Sequence, residues 1–301
     1  MAIEVEHYIQ PPATEEPLDY ADLPIIDLSK APRPDENQRI FDIADIPFSV
    51  VNDEEKRHYE AEMMQTGSYQ GYKLRQYWHI DNGVKDQIEH YNFHRDVTMR
   101  QHPECLRPYL GEIETFMKHN HFNVLHPILR LLALSFGLPE NALVDIHGYS
   151  SVGETFYFGS ITILYSQPVS ALQILTPSGD WKWVKHIENA LVINAGDALE
   201  FLSGEVFRST IHRVVQPPQD QQGCPRLGVF YFAMPDDNVK LLPLVDNKVL
   251  SRRFVDADAP TMGEWRKGRI AAYGKTQLRK AEGEERVEEE VVAGVVTKHY
   301  N

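Results

Sequence analysis

Cysteine is scarce in this chain of 301 residues: only Cys105 and Cys224 occur, far apart in sequence. That excludes a disulfide framework and a thiolate zinc site, and it suits a reducing compartment, with both cysteines expected as small buried hydrophobes. Long apolar runs are missing too. The most apolar stretch, VLHPILRLLALSFGL, is broken by His126, Pro127 and Arg130, well short of the ~18 apolar residues of a membrane span. Positive charge is in deficit, with 30 Lys and Arg against 44 Asp and Glu and a formal net charge of -14. Such a surface repels phosphate backbones and anionic lipids, so neither nucleic acid nor membrane is expected as a partner. The opening MAIEVEHYIQPPATEE has glutamates at positions 4 and 6 and no apolar core, so it does not read as a secretory signal. A cytoplasmic location is the resulting expectation.

What is present is ordinary globular material, 42% hydrophobic and 25% charged, enough for one large domain or two smaller ones. LPIIDLS, residues 23–29, has the short β-branched character of a buried strand, and a proline-punctuated loop follows it. From Glu36 to about Met64 the pattern is helical. Asn52 with Glu55 three residues on resembles a capping box, which predicts a helix beginning at Asp53 and carrying EEKRHYEAEMM. TGSYQGYKLRQYWHIDNG reads as a long aromatic loop. Over 108–136, Ile113, Phe116, Phe122, Leu125, Ile128, Leu131 and Leu132 recur near the helical period, with a kink expected at Pro127 and a stop at Gly137-Leu138-Pro139.

The composition then changes to short strands: ALVDIHGY, SITILYSQ, ALQILT, WKWVKH, ALVINA, ALEFLS, TIHRVVQP and RLGVFYFAM. Strands so closely spaced predict a sandwich, barrel or jelly roll instead of a parallel α/β sheet. After Arg252 comes a helix-like stretch, then the acidic run EERVEEE, read as solvated surface. Three regions follow: 1–138, an N-terminal strand and helical region; 139–250, a β core; and 251–301, a C-terminal helix and acidic tail.

Two residues of the β core carry chemistry. His212 in STIHRVVQ offers an imidazole suited to iron or zinc on a rigid strand, and Arg226 in PRLGVFYF offers a planar fork for a carboxylate. Their context is more specific than either residue. NALVINAGDALEFLSGEVFRSTIHRVVQPP followed by PRLGVFYFAMP resembles the C-terminal barrel of the iron(II)/2-oxoglutarate-dependent dioxygenases, in their isopenicillin N synthase-like branch. FGSITILYSQPVSALQILTPSGDWKWV resembles the strands before it, and LPIIDLS the family's first strand. The chain looks most like fungal members, many of which tailor secondary metabolites.

The resemblance implies a fold that is mainly β with flanking helices, a double-stranded β-helix (jelly roll). It implies iron held by a His-x-Asp pair and a distal histidine, with 2-oxoglutarate and a small-molecule substrate in the barrel mouth. The distal ligand maps to His212 and the arginine for the far carboxylate of 2-oxoglutarate to Arg226. Gly228 stands where the family often has the serine of Arg-x-Ser, which removes one hydroxyl contact.

The other ligand pair departs from the pattern. Histidine is expected at Thr155 and aspartate at Tyr157, and the weak replacements on offer are Glu154 and Tyr157, the latter binding iron well only as phenolate. Asp145 and His147, read on one strand, share a face and are a remote alternative pair. Segments present in the family are absent after LPIIDLS and between VDIHGYSS and FGSIT, so the jelly roll is expected to be incomplete. A sheet with a missing strand exposes backbone donors and acceptors, which leaves a homo- or hetero-dimer open. The alternative to a dioxygenase is a metal-free descendant serving as a binding module, a partner subunit or a non-redox catalyst.

Overall fold

The fold is that of a computed structural model, which describes residues 6–25, 34–63, 68–81, 84–149, 159–245, 254, 256–272, 279–280, 287–292 and 295–300. Its centre is a pair of antiparallel sheets. One runs β10–β5–β8, with β5 at Ile161–Tyr165, β8 at Leu191–Ala195 and β10 at Phe230–Ala233; the other runs β7–β6–β9, with β6 at Leu172–Leu175, β7 at Trp181–Trp183 and β9 at His212–Val214. Among the described residues no strand pairs with the outer edge of β9 or of β10. This arrangement agrees with the jelly-roll expectation.

Side-chain alternation gives the first sheet two different faces. Ile161, Ile163, Tyr165, Val229, Tyr231 and Ala233 point outward into the main core, where they meet helices. These helices are α1 (Pro34–Ser49), which supplies Ile40, Phe41, Ile43 and Ile46, and a long rod over 110–135. The rod consists of α3 (Leu110–His119), a π-helical turn over Asn120–Leu125, and α4 (His126–Ser135). Its inward face is Ile113, Met117, Asn120, His121, Val124, Leu125, Leu129 and Ala133, whereas Phe122 and Leu131, expected inside, are exposed. The wider turn is the cause. Pro127 has no N–H for the ladder, and the rod absorbs the break in the preceding π turn, with Pro127 lodged in the first turn of α4 where a missing donor costs little.

Several expectations are corrected. ALVDIHGY is no strand: Val144–Ile146 forms a 3-10 turn stabilised by an Asp145 N–H bond to the Asn141 carbonyl. ALEFLS is helix α5 (Asp197–Leu202), because a short apolar run has no decisive period and Gly196 ends β8 just before it. Gly196 has little choice there, since a Cβ would lie 2.3 Å from the Gly159 carbonyl oxygen. The Asn52 cap is real, with Oδ1 accepting from Glu54 N and Glu55 N at 3.1 and 3.0 Å, but α2 (Asp53–His58) is short. Beyond it Tyr59 and Ala61 bond to the backbone of Tyr72 instead of continuing the helix.

The expected loop over 66–83 contains β1 (Gly71–Lys73), paired with β4 (His90–Asn92), and β2 (His79–Asp81), paired with β3 (Val84–Lys85). Its buried Lys73 pairs with Asp86 and lies 4.2 Å from the Trp78 ring centre. Of the expected strand at 23–29, residues 23–25 form no strand and 26–29 lie outside the described residues. The C-terminal region has helix α6 (Met262–Ala272) as expected. Within the acidic run, however, 287–290 belong to β12 (Val287–Val292), which pairs antiparallel with β13 (Val295–Tyr300) and with β11 (Arg279–Lys280). No described helix is long and apolar enough to cross a membrane.

Candidate functional site

The inner faces of the two sheets meet in a cleft. Leu164 and Val192 are cross-strand partners on β5 and β8, and Leu172 and Val184 line the other side. At its end stand Ser166, Gln167, Lys185, His186 and Arg226. Arg226 is two residues before Gly228 and four before Phe230, so period two keeps all three on the cleft side. Phe230 and Phe232 stack there, ring centres 5.6 Å apart. A Cβ at Gly228 would lie 2.5 Å from the Phe230 ring and 3.4 Å from Gln167 Nε2. The serine position is thus filled from the side by other residues, which explains the glycine.

His212 also faces inward. It pairs across β9–β6 with Ile174, as Val214 does with Leu172, and directly opposed residues share a face. Its Nδ1–H donates to the Thr210 carbonyl at 2.8 Å, which fixes the tautomer and leaves the Nε2 lone pair outward, as in imidazoles that bind metals. His212 is exposed and does not line the cleft beside Arg226, so the structure puts the two residues on facing sheets without joining them.

The expected partners of His212 do not complete a metal site. Glu154, Thr155 and Tyr157 lie outside the described residues. Asp145 and His147 are not a strand pair. His147 is buried with Nδ1–H on the Leu143 carbonyl at 2.6 Å and Nε2 accepting from Ser160 Oγ at 2.8 Å, so both nitrogens are engaged. Burial holds its pKa down to about 4. Among the described residues no group of three or more His, Cys, Asp or Glu could hold a metal ion. The described donor set is one imidazole, and that does not fit iron(II), which needs two imidazoles and a carboxylate on one face.

The far carboxylate of 2-oxoglutarate fits better. Arg226 would supply the charge, and Lys185 stands at the rim as a second cation, 5.8 Å from the Tyr20 ring centre. Gln167 is buried, and its Nε2 makes no hydrogen bond. Leaving such a donor empty costs about 1–3 kcal/mol, so it is a ready partner for an anion. Ser166 is already committed: its hydroxyl lies 2.9 Å from His186 Nδ1 and accepts from Ile187 N at 3.3 Å. Burial lowers the His186 pKa, which favours a neutral imidazole in that contact. The enclosed part of the cleft measures about 20 Å³, room for roughly one or two water-sized groups. That suits a carboxylate end and not a whole metabolite.

Gln167 was not evident in sequence, because a glutamine at a strand end reads as surface. Its only local signal is Pro168, whose carbonyl accepts from Gln221 Nε2 at 3.0 Å and so holds the turn in place. On the opposite face of the sheet lies a second polar group: His121 Nδ1 meets Tyr231 Oη at 2.8 Å, with Arg95 over the Tyr231 and Tyr149 rings. Burial and the Arg95 charge push the His121 pKa down to about 3, so it is a neutral core histidine.

Known proteins are similar to this chain in sequence and in fold. Residues 145–235 match the 2OG-Fe(II) oxygenase superfamily. The chain is 26% identical over 265 residues to a UPF0676 protein of Schizosaccharomyces pombe, covering 78% of this chain and 80% of that one. It is 38% identical over 98 residues to the 2-oxoglutarate-dependent dioxygenase iboH of Amanita muscaria, a match that takes in 32% of this chain and 47% of the relative's length. In fold it is similar to a full-length Neurospora crassa protein solved in complex with alpha-KG, with a TM-score of 0.67, 21% identity, and coverage of 83% of this chain and 85% of that one. The segment that matches the 2OG-Fe(II) oxygenase superfamily spans the cleft, β5 to β10 and both mapped residues.

Proposed function

We propose that the protein is an oxidoreductase of the iron(II)/2-oxoglutarate class acting on a small organic metabolite, in fungal secondary-metabolite biosynthesis. In this reading Arg226 anchors 2-oxoglutarate and His212 supplies one iron position. The observation that carries it is the placement of Arg226 and His212 on the facing inner sides of the two sheets, inside the segment that matches the family. Iron, when bound in such proteins, supplies oxygen activation. The described residues provide one of its ligands, so the reading requires two more donors.

A second reading is favoured by that donor count and by the bare outer edges of β9 and β10 among the described residues. It is a metal-free descendant that serves as a binding module, a partner subunit or a non-redox catalyst. Anaerobic iron(II) titration in the presence of 2-oxoglutarate separates the two. A charge-transfer band that is lost in His212→Ala and weakened in Arg226→Ala is the outcome expected of the oxidoreductase. A protein that takes up no iron beyond nonspecific levels and releases no succinate is the metal-free form. Genomic DNA between the codons for Gly153 and Phe158 adds a direct check: an open frame encoding a His-x-Asp phrase there would give a longer product with the missing ligands.

A further inference from the structure

The cleft beside Arg226 holds one donor for which the fold has no use. Gln167 is only 9% exposed and Nε2 has no hydrogen-bond partner. The turn that follows it is pinned by Gln221, which donates from Nε2 to the carbonyls of Pro168 at 3.0 Å and Pro12 at 2.7 Å, and accepts from Ser170 N at 2.8 Å. Gln167 Nε2 sits 3.4 Å from where a side chain at position 228 would begin, on the same face of the strand as Arg226. Its amide therefore occupies the surroundings that a hydroxyl at position 228 would have entered, and the Phe230 ring closes the remaining space.

The neighbouring groups offer no substitute. The Ser166 hydroxyl is already bonded to His186 and to Ile187 N, and Lys185 is at the exposed rim, where a charge attracts but does not orient. An amide N–H is a directional donor that, paired with a guanidinium, can satisfy both oxygens of one carboxylate. We propose that Gln167 replaces the missing hydroxyl at position 228 and, with Arg226, grips the far carboxylate of a small dicarboxylate of the 2-oxoglutarate type. The assignment rests on the anchoring role proposed for Arg226. It does not need iron, because the grip is at the end of the ligand remote from any metal.

The test is calorimetric titration of the full chain with 2-oxoglutarate in a chelator-containing buffer, with folding of each variant checked by thermal melting. Wild type is expected to bind and Arg226→Ala to abolish binding. Gln167→Leu should weaken it about tenfold, the size of one hydrogen bond to a charged group. Gln167→Glu, which keeps the shape but puts a second carboxylate in the cleft, should weaken it further than leucine does. Binding that is lost in Arg226→Ala but unchanged in both Gln167 variants overturns the role of Gln167 and leaves the Arg226 anchor intact. No binding by the wild type overturns the anchor and the role of Gln167 with it. If Gln167→Leu melts far below wild type, the isosteric Gln167→Glu alone decides between these outcomes.

Discussion

The two sheets are of similar size and are stabilised by different means. Sheet β10–β5–β8 is backed by helices: Ile163 and Ala233 are fully buried, and Tyr165 and Tyr231 extend the same apolar layer. Among the described residues, sheet β7–β6–β9 contributes nothing to that main core. On its outer face Arg213 donates from Nε to Gln173 at 3.0 Å and lies 4.1 Å from the Trp181 ring centre, while the N-terminal segment pairs with Trp183 through Asp19 and Ala21. One sheet is held by burial of apolar area and the other by polar and cation–π pairings, which are weaker individually. The mapped residues divide in the same way. Arg226 enters from the strongly packed sheet, whereas His212 stands on the outermost strand of the weakly packed one.

If that contrast is right, truncation should hurt most in the helix-backed sheet. Ile163→Ala is expected to cost about 2–4 kcal/mol in denaturant unfolding, the transfer and cavity cost of a fully buried aliphatic side chain. A value below 1 kcal/mol would erase the distinction between the sheets.

Acid should act on the same region. His147 and His121 titrate near 6.5 in an unfolded chain, but burial holds them neutral in the fold down to about 4 and about 3. Between these values the unfolded state binds more protons, so this stability is complete above pH 6.5 and is lost as pH falls towards 4 and then 3. Unfolding midpoints measured from pH 7.5 to 4.5 should fall, and His147→Gln should lower the midpoint at pH 7.5 while flattening the decline. A variant with an unchanged slope would place the acid sensitivity elsewhere. The smallest effect belongs to the other sheet, where Val214 is 49% exposed and Val214→Ala should stay within about 0.5 kcal/mol of wild type.

The six core strands were legible in sequence because each is a short run of β-branched and aromatic residues between turn formers. The Asn52 cap was legible because its chemistry is local. What stayed hidden depends on distant neighbours. Val144–Ile146 reads as β-branched yet turns, since the carbonyl of Asn141 captures the Asp145 N–H. Asp197–Leu202 spans under two turns, with Ala198, Leu199, Phe201 and Leu202 buried and Asp197 and Glu200 its only polar residues, and so short a segment gives no decisive period to read. At the candidate site, Arg226 and His212 emerged from resemblance to a family and not from spacing. Gln167 could not have emerged at all, because its burial is created by a turn that Gln221 fastens from 54 residues away.

The π-helical turn over Asn120–Leu125 sets the angular phase of the rod. An α-helix advances about 100° per residue, so consecutive residues do not normally face one surface. Here Asn120 and His121 are both fully buried against the sheet, the first accepting from Tyr165 Oη at 3.1 Å and the second meeting Tyr231. The wider turn takes up one residue of phase and so lets neighbours in sequence serve neighbouring strands. Deleting a single residue from it would return the rod to one unbroken period and rotate α4 by about 100° relative to α3. Leu129 and Ala133 would then leave the core while α3 stayed in place, a clockwork error that no conservative side-chain replacement could mimic.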